Sequence, residues 1–278
     1  MKTIEKQIFE GERPLFKSSD ILLKECEFIP GESALKECKN ITVQNSKFDD
    51  NYPFWHNEKL EITDSYFSEN CRAAIWYTKD IYIDNCKING PKVLRESENI
   101  NIKNSNGETS ELLWECKNVN ISDSKFKSDY IFLHSENIQL DNFELNGKYS
   151  FQYVKNSVLK NCTLKSKDCF WNSENVTVYD SVIEGEYLGW YSKNLKLINC
   201  TIIGTQPLCY AENLIMENCK MYDTDLCFEY TTLDAEITTS VDSIKNPTGG
   251  IIKAKSIKEI ILDDNTVDHS KTIITTEE

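Results

Sequence analysis

The chain has no apolar stretch that approaches a bilayer-spanning length, and its eleven cysteines include no CxxC pair. The first absence excludes a helical membrane anchor, which needs roughly 20 apolar residues. The second, with an odd cysteine count, argues against a disulfide framework and predicts free thiols in a reducing compartment. Met1 to Phe9 alternate charged and apolar side chains without the apolar centre of a secretory leader, so a cytoplasmic location is expected. Positive charge is in deficit: 31 Lys and Arg stand against 45 Asp and Glu, a formal net charge of -14. Nucleic acid and anionic membrane would repel such a surface, and neither is an expected partner. A helical period is also missing.

What is present is repetition. Asn99, Asn118, Asn137, Asn156, Asn175, Asn194 and Asn213 stand at an unbroken interval of 19 residues. Backwards the register reaches Asp80, Lys59, Asn40 and Asp20; forwards it reaches Thr232 and, after an insertion, Glu259. A fixed period near 20 marks a solenoid, whose repeats bury their apolar sides only against their neighbours. Apolar residues follow the marker at one and three positions, as in Ile41 and Val43, Leu60 and Ile62, Ile100 and Ile102, or Leu195 and Leu197. Polar residues such as Thr42, Glu61 and Asn101 lie between, which is the alternation of a short strand with two inward side chains.

A second marker follows two residues later: Asn45, Asp64, Asn85, Asn104, Asp123, Asn161, Asp180 and Asn199. Asn and Asp tolerate left-handed backbone, which suits a corner. A small residue comes next, Ser46, Ser65, Cys86, Ser105, Cys162 or Cys200, and a large one two further on, such as Phe28, Phe48, Phe67, Ile88, Phe126 or Leu164. These columns read as a second inward strand, with the cysteines as packing. Just before the asparagine, Lys39, Glu58, Lys79, Glu98, Lys117, Glu136, Lys155, Glu174, Lys193 and Glu212 alternate in sign. Coils about 4.8 Å apart would set each charge beside its opposite, and a slip of one coil would set like beside like.

Three short strands per coil, about a dozen coils of 19 residues and no helical period give an all-β, single-stranded right-handed parallel β-helix. It is read as one domain over 1–278: an N-terminal first coil or cap at 1–19, regular coils at 20–237, and an interrupted last coil with a C-terminal cap at 238–278. Glu174-Asn-Val-Thr-Val-Tyr-Asp-Ser181, Lys193-Asn-Leu-Lys-Leu-Ile-Asn-Cys200, Arg72-Ala-Ala-Ile-Trp-Tyr77 and Gly185-Glu-Tyr-Leu-Gly-Trp190 carry a resemblance over nearly the whole chain. They resemble an uncharacterised bacterial family, domain of unknown function 3737. The resemblance implies a right-handed β-helix similar to the pectin-lyase-like superfold and brings no established activity. Carbohydrate enters only by analogy of fold.

One column resists a structural reading. Four positions before the marker stand Trp55, Trp76, Arg95, Trp114, Leu133, Gln152, Trp171, Trp190, Cys209 and Phe228. The preceding residue is apolar in nearly every coil (Phe54, Ile75, Leu94, Leu113, Phe132, Phe151, Phe170, Leu208), so it is turned inward and the Trp column outward. That choice also spares Arg95 and Gln152 from burial without partners. Strict alternation back from the Lys/Glu ladder would instead turn the tryptophans inward. The next column, with His56, Tyr77, Glu96, Glu115, His134, Tyr153 and Tyr191, mixes rings and polar groups.

Trp55, His56, Trp76, Tyr77, Trp114, Tyr153, Trp171, Trp190 and Tyr191 are therefore candidate ligand-binding residues for a saccharide or another ring-bearing molecule. Arg95, Glu96, Glu115 and His134 are the catalytic candidates: two neighbouring carboxylates can work as acid and base, with His134 as a further base. The galacturonase pattern is not met, since His56, His134 and His269 lack flanking glycines although Asp49-Asp50 and Asp263-Asp264 are present. Asp223 with Asp225, or Glu184 with Glu186, falls short of the six to eight oxygens of a calcium site. Cys200 and Cys219 lack histidine partners for zinc. No metal or cofactor is expected. A saccharide-binding module leads, a carbohydrate-active lyase or glycoside hydrolase is the alternative, and a structural or protein-interaction scaffold stands third. The oligomeric state is left open.

Overall fold

The computed structural model describes residues 1–277. Its elements are parallel strands, in about 14 turns spaced about 19 residues apart, and no α-helix occurs among the described residues. None of these residues forms a helix long and apolar enough to cross a membrane. Two compact units divide the chain, Met1–Gln139 and Leu140–Glu278.

In the first unit the strand after each asparagine-column residue pairs with its equivalent one coil on: Ile41 with Leu60, Leu60 with Ile81, Ile81 with Ile100, and Ile100 with Val119. The inward side chains of these strands are fully buried. The second side stacks an interior ladder of rings, with Phe9–Phe28, Phe28–Phe48 and Phe48–Phe67 centroids 4.9, 4.7 and 5.0 Å apart. Gly107 takes the place of a ring in that column. Its backbone lies so close to the Ile88 carbonyl that a Cβ would collide with it. The third side is barely a strand: Phe54–Trp55, Ile75–Trp76 and Leu94–Arg95 form a separate sheet of two-residue strands.

The corners are left-handed at more positions than the asparagines announce. Asn99 and Asn118 have φ of 57° and 55°, and Asn45 and Asn104 have 48° and 47°. His56, Tyr77, Glu96, Glu115 and His134 share that conformation, with φ between 48° and 58°. None of them is β-branched, the class for which positive φ is most strained. The asparagine amides form a ladder in which each Nδ2 donates to the Oδ1 one coil earlier: Asn99 to Asp80 at 2.8 Å, Asn118 to Asn99 at 2.9 Å, Asn137 to Asn118 at 3.0 Å.

The small column does more than pack. Ser46, Ser65 and Ser105 donate their hydroxyls to the carbonyl two residues back and accept the N–H of the corner one coil earlier, as in Cys26 N–H to Ser46 Oγ at 3.0 Å. A second hydroxyl column, Thr78, Ser97 and Ser135, likewise accepts N–H groups at the third corner. Corner N–H groups that no strand can satisfy are thereby paired. The eleven cysteines are buried free thiols, several bonded to carbonyls at equivalent positions.

In the second unit the pairing runs through Leu159, Val178, Leu197, Met216, Ala235, Ile252 and Ile274. Here the register departs from the sequence reading. Thr232 faces Gly249 rather than Glu259, and Glu259 faces Ser243. The coil shortens to 17 residues, then to 16 across an irregularity between Ile237 and Ser240, and the next lengthens to 22, so ladder pairing continues across the segment that breaks the period. The Lys/Glu column closes as ion pairs within each unit: Lys39–Glu58 at 3.0 Å, Lys79–Glu98 at 3.3 Å, Lys117–Glu136 at 2.9 Å, then Lys155–Glu174 at 3.6 Å and Lys193–Glu212 at 3.2 Å.

Candidate functional site: an aromatic outer edge

The outward column of the sequence is the outer edge of the third side. Phe54, Ile75, Leu94, Leu113, Phe132, Phe151, Phe170 and Leu208 are fully buried, while Trp55, Trp76, Arg95, Trp114, Trp171 and Trp190 are half-buried and reach solvent. Cys209 and Phe228 do not follow the column: both are fully buried. In those coils Leu208 with Cys209, and Cys227 with Phe228, fill the core, and the left-handed Tyr210 and Tyr230 take the outer position.

In the Met1–Gln139 unit the edge is a continuous row. Lys36 Nζ lies 4.9 Å over the Trp55 ring, Trp55 meets Trp76 edge-on at 6.0 Å, and the Arg95 guanidinium is clamped between Trp76 at 5.4 Å and Trp114 at 5.5 Å. Such cation–π contacts are worth roughly 0.5–2 kcal/mol each. The indole N–H groups are tied down: Trp76 donates to the Lys92 carbonyl at 2.8 Å and Trp114 to that of Tyr130 at 3.1 Å. Trp55 Nε1 is buried without a hydrogen-bond partner. Trp76 and Trp114 are thus held by the coil that follows each of them.

The neighbouring left-handed column projects beyond this row. His56 and Tyr77 stack at 4.8 Å, with ring planes 12° apart. Arg95 ties the two carboxylates that follow, Nε to Glu96 at 3.3 Å and an η nitrogen to Glu115 at 3.1 Å. Only the Glu115 contact has hydrogen-bond alignment, and Nε has no aligned partner. The sequence reading placed two like charges side by side. A guanidinium within ion-pair distance of both, and hydrogen-bonded to Glu115, now stands between them. Burial, and then the nearby Glu96 carboxylate, push the Tyr77 phenol up. Beneath Glu115, burial pushes the Cys116 thiol up to about 12, which removes it as a thiolate nucleophile at neutral pH.

An open depression of about 690 Å³ lies here, lined by Tyr77, Glu96, Glu98, Glu115, Lys117 and His134. Four of these were expected site residues. Glu98 and Lys117 were read as ladder charges alone, and nothing in their alternation announces a second role.

In the Leu140–Glu278 unit Trp171 and Trp190 stack at 5.6 Å, and Tyr191 packs 5.3 Å from Trp171. Tyr187 and Tyr210 each meet Trp190 edge-on at 5.1 Å, and Tyr210 continues the stack to Tyr191 at 4.8 Å and Tyr230 at 5.6 Å. Trp190 Nε1 donates to the Gln206 carbonyl at 2.7 Å. Tyr153 is exposed, its N–H bonded to the Trp171 carbonyl. Tyr187 and Tyr230 were missed because they lie outside the two columns that the period isolates.

Fold and edge together define a parallel β-solenoid with an aromatic outer edge. The chain belongs to the family described as protein of unknown function (DUF3737), whose model matches residues 2–275. No curated protein matches it by sequence. Solved structures similar to it match at low identity. PfbA, a surface adhesin of Streptococcus pneumoniae, is 9% identical over 93% of this chain and 80% of its own, with a TM-score of 0.37. The A-module of the mannuronan C-5 epimerase AlgE4 of Azotobacter vinelandii is 9% identical over 99% and 88%, with a TM-score of 0.32. DFA-IIIase of Arthrobacter chlorophenolicus A6, solved with DFA-III, is 9% identical over 94% and 69%, with a TM-score of 0.35.

Proposed function

We propose that the outer edge binds a saccharide, whose rings stack on Trp76, Tyr77 and Trp114 in the first unit and on Trp171, Trp190 and Tyr191 in the second. The observation that carries this reading is the row itself: rings and charges repeat once per coil, the indole N–H groups of Trp76, Trp114 and Trp190 are anchored, and the row borders an open depression. Half-buried aromatic rings combine an apolar face with a polar tip, which suits the mixed faces of a sugar. Anchoring before binding lowers the entropy that a ligand must remove.

The test is a glycan array with the full-length protein, followed by calorimetric titration of each sugar class that binds. At least one class binds, and Tyr77→Ala or Tyr191→Ala weakens it by about tenfold, as loss of one stacked ring implies. No binding in any sugar class sinks the proposal. The second reading is an enzyme, favoured by the convergence of Glu96, Glu115 and His134 on one depression. Turnover of a bound sugar by the native protein but not by Glu115→Gln would select it; binding without turnover selects the module.

A further inference from the structure

The left-handed column that begins His56, Tyr77 is a ring stack interrupted by two consecutive carboxylates, Glu96 and Glu115, and again at Asn172. Two adjacent pairs of this column lie face to face: His56 on Tyr77 at 4.8 Å, and Tyr191 on Tyr210 also at 4.8 Å. Their common φ near 55° sends each side chain off the corner in the same direction, one coil above the last. At Glu96 and Glu115 the rings give way to carboxylates, and a ring returns at His134. Three coil steps of ~4.8 Å separate Tyr77 from His134, about 14 Å. The depression of about 690 Å³ opens along this interval, with Tyr77 and His134 among its lining residues.

The carboxylates in the gap are pinned rather than loose. Arg95, clamped between Trp76 and Trp114, binds Glu115 Oε1 and lies beside Glu96 Oε1. Each carboxylate has about four lone-pair sites, so one contact to Arg95 leaves acceptor capacity toward a ligand. The lining carries Glu96, Glu98 and Glu115 against Lys117, and counting Arg95 with them leaves one net negative charge. A ring bearing acidic groups would meet three carboxylates there, whereas one bearing an amine would meet acceptors and a favourable charge.

Resting on the saccharide reading above, we propose that this gap selects amine-bearing sugars: a hexosamine ring fills a missing rung, stacks on Tyr77 or His134, and directs its ammonium and hydroxyls at Glu96 and Glu115. Neutral sugars bind here more weakly, and uronates are rejected.

The experiment titrates the full-length protein with three matched oligosaccharide series of equal length, built from glucosamine, from glucose and from galacturonate, at neutral pH and low salt. The expected order is glucosamine, then glucose, then galacturonate, with glucosamine about five- to tenfold tighter than glucose, the scale of two solvent-exposed charge contacts. In Glu96→Gln and in Glu115→Gln, each checked for unchanged melting, the glucosamine-to-glucose ratio falls towards one. Raising the salt concentration shrinks the same ratio. Binding of glucose or galacturonate as tight as that of glucosamine overturns this inference and leaves saccharide binding standing. Binding of none of the three series, while other sugars bind, also overturns it alone. Absence of binding to every sugar overturns both readings.

Discussion

Asp50 is the residue least reconciled with its surroundings. It is buried, and neither carboxylate oxygen has a hydrogen-bond partner. Burial pushes its pKa up to about 8, with neighbouring Asp49 adding to the effect. An unfolded aspartate ionises near ~3.9. Between those values the folded chain holds a proton that the unfolded chain has released. Stability from this group is therefore fully present below about pH 4 and is lost as pH rises through about 8. Asp50→Asn removes the titration. Calorimetric melting from pH 5 to 9 is expected to show a falling Tm in the native protein and a flatter profile in the variant, which melts higher at pH 9. Equal slopes would show that Asp50 does not bury its charge. Nothing in the adjacent pair Asp49-Asp50 announces this, because burial is decided by the coil that covers it.

At the level of the element, the column order of the coil was legible because the period repeats each side-chain choice many times. Apolar pairs such as Ile100 and Ile102, the phenylalanine ladder and the Lys/Glu alternation all appear where the spacing sets them. The left-handed Tyr77 and Glu96 corner was not legible, since only Gly, Asn and Asp advertise that conformation in sequence. Nor was the burial of Cys209 and Phe228, two side chains that the column alone would turn outward. Gly107 shows the same limit from the other side: an absent ring in the interior column is an approach of backbones, not a void. Gly107→Ala drives a methyl group into the Ile88 carbonyl and is expected to destabilise the protein by about 1–3 kcal/mol, the usual range for overpacking. Urea unfolding measures it; a change below ~0.5 kcal/mol would mean that the coils separate with little resistance.

For the molecule as a whole, a solenoid distributes stability among neighbouring coils, since each coil touches only the next. Damage at one coil should then be felt nearby and fade with coil number. Hydrogen exchange on Gly107→Ala is expected to quicken most in the strands paired with it, Lys87–Ile88 and Lys117–Ile131, and least toward Lys2–Glu5 at the start of the same unit. Uniform acceleration throughout Met1–Gln139 would show that this unit opens in one cooperative step. The candidate edge inherits the same arrangement. Its tryptophans and carboxylates stand on successive coils, so their spacing is set by the ladder hydrogen bonds and not by a flexible loop.

The asparagine ladder gives the chain an arrow. Every rung hands a proton donor to the rung before it, so the earliest rung needs only to receive. Aspartate, which has acceptors and no amide hydrogen, can therefore open a run but not continue one. Asp20 precedes Asn40 in this way, and after the interruption at Lys59 a new run opens on Asp80 and proceeds through Asn99, Asn118 and Asn137. The column thus obeys a grammar, acid first and amide after. It also makes chemical ageing uneven: hydrolysis of an amide to an acid severs a link at Asn118, whereas the opening rung is already in the aged form.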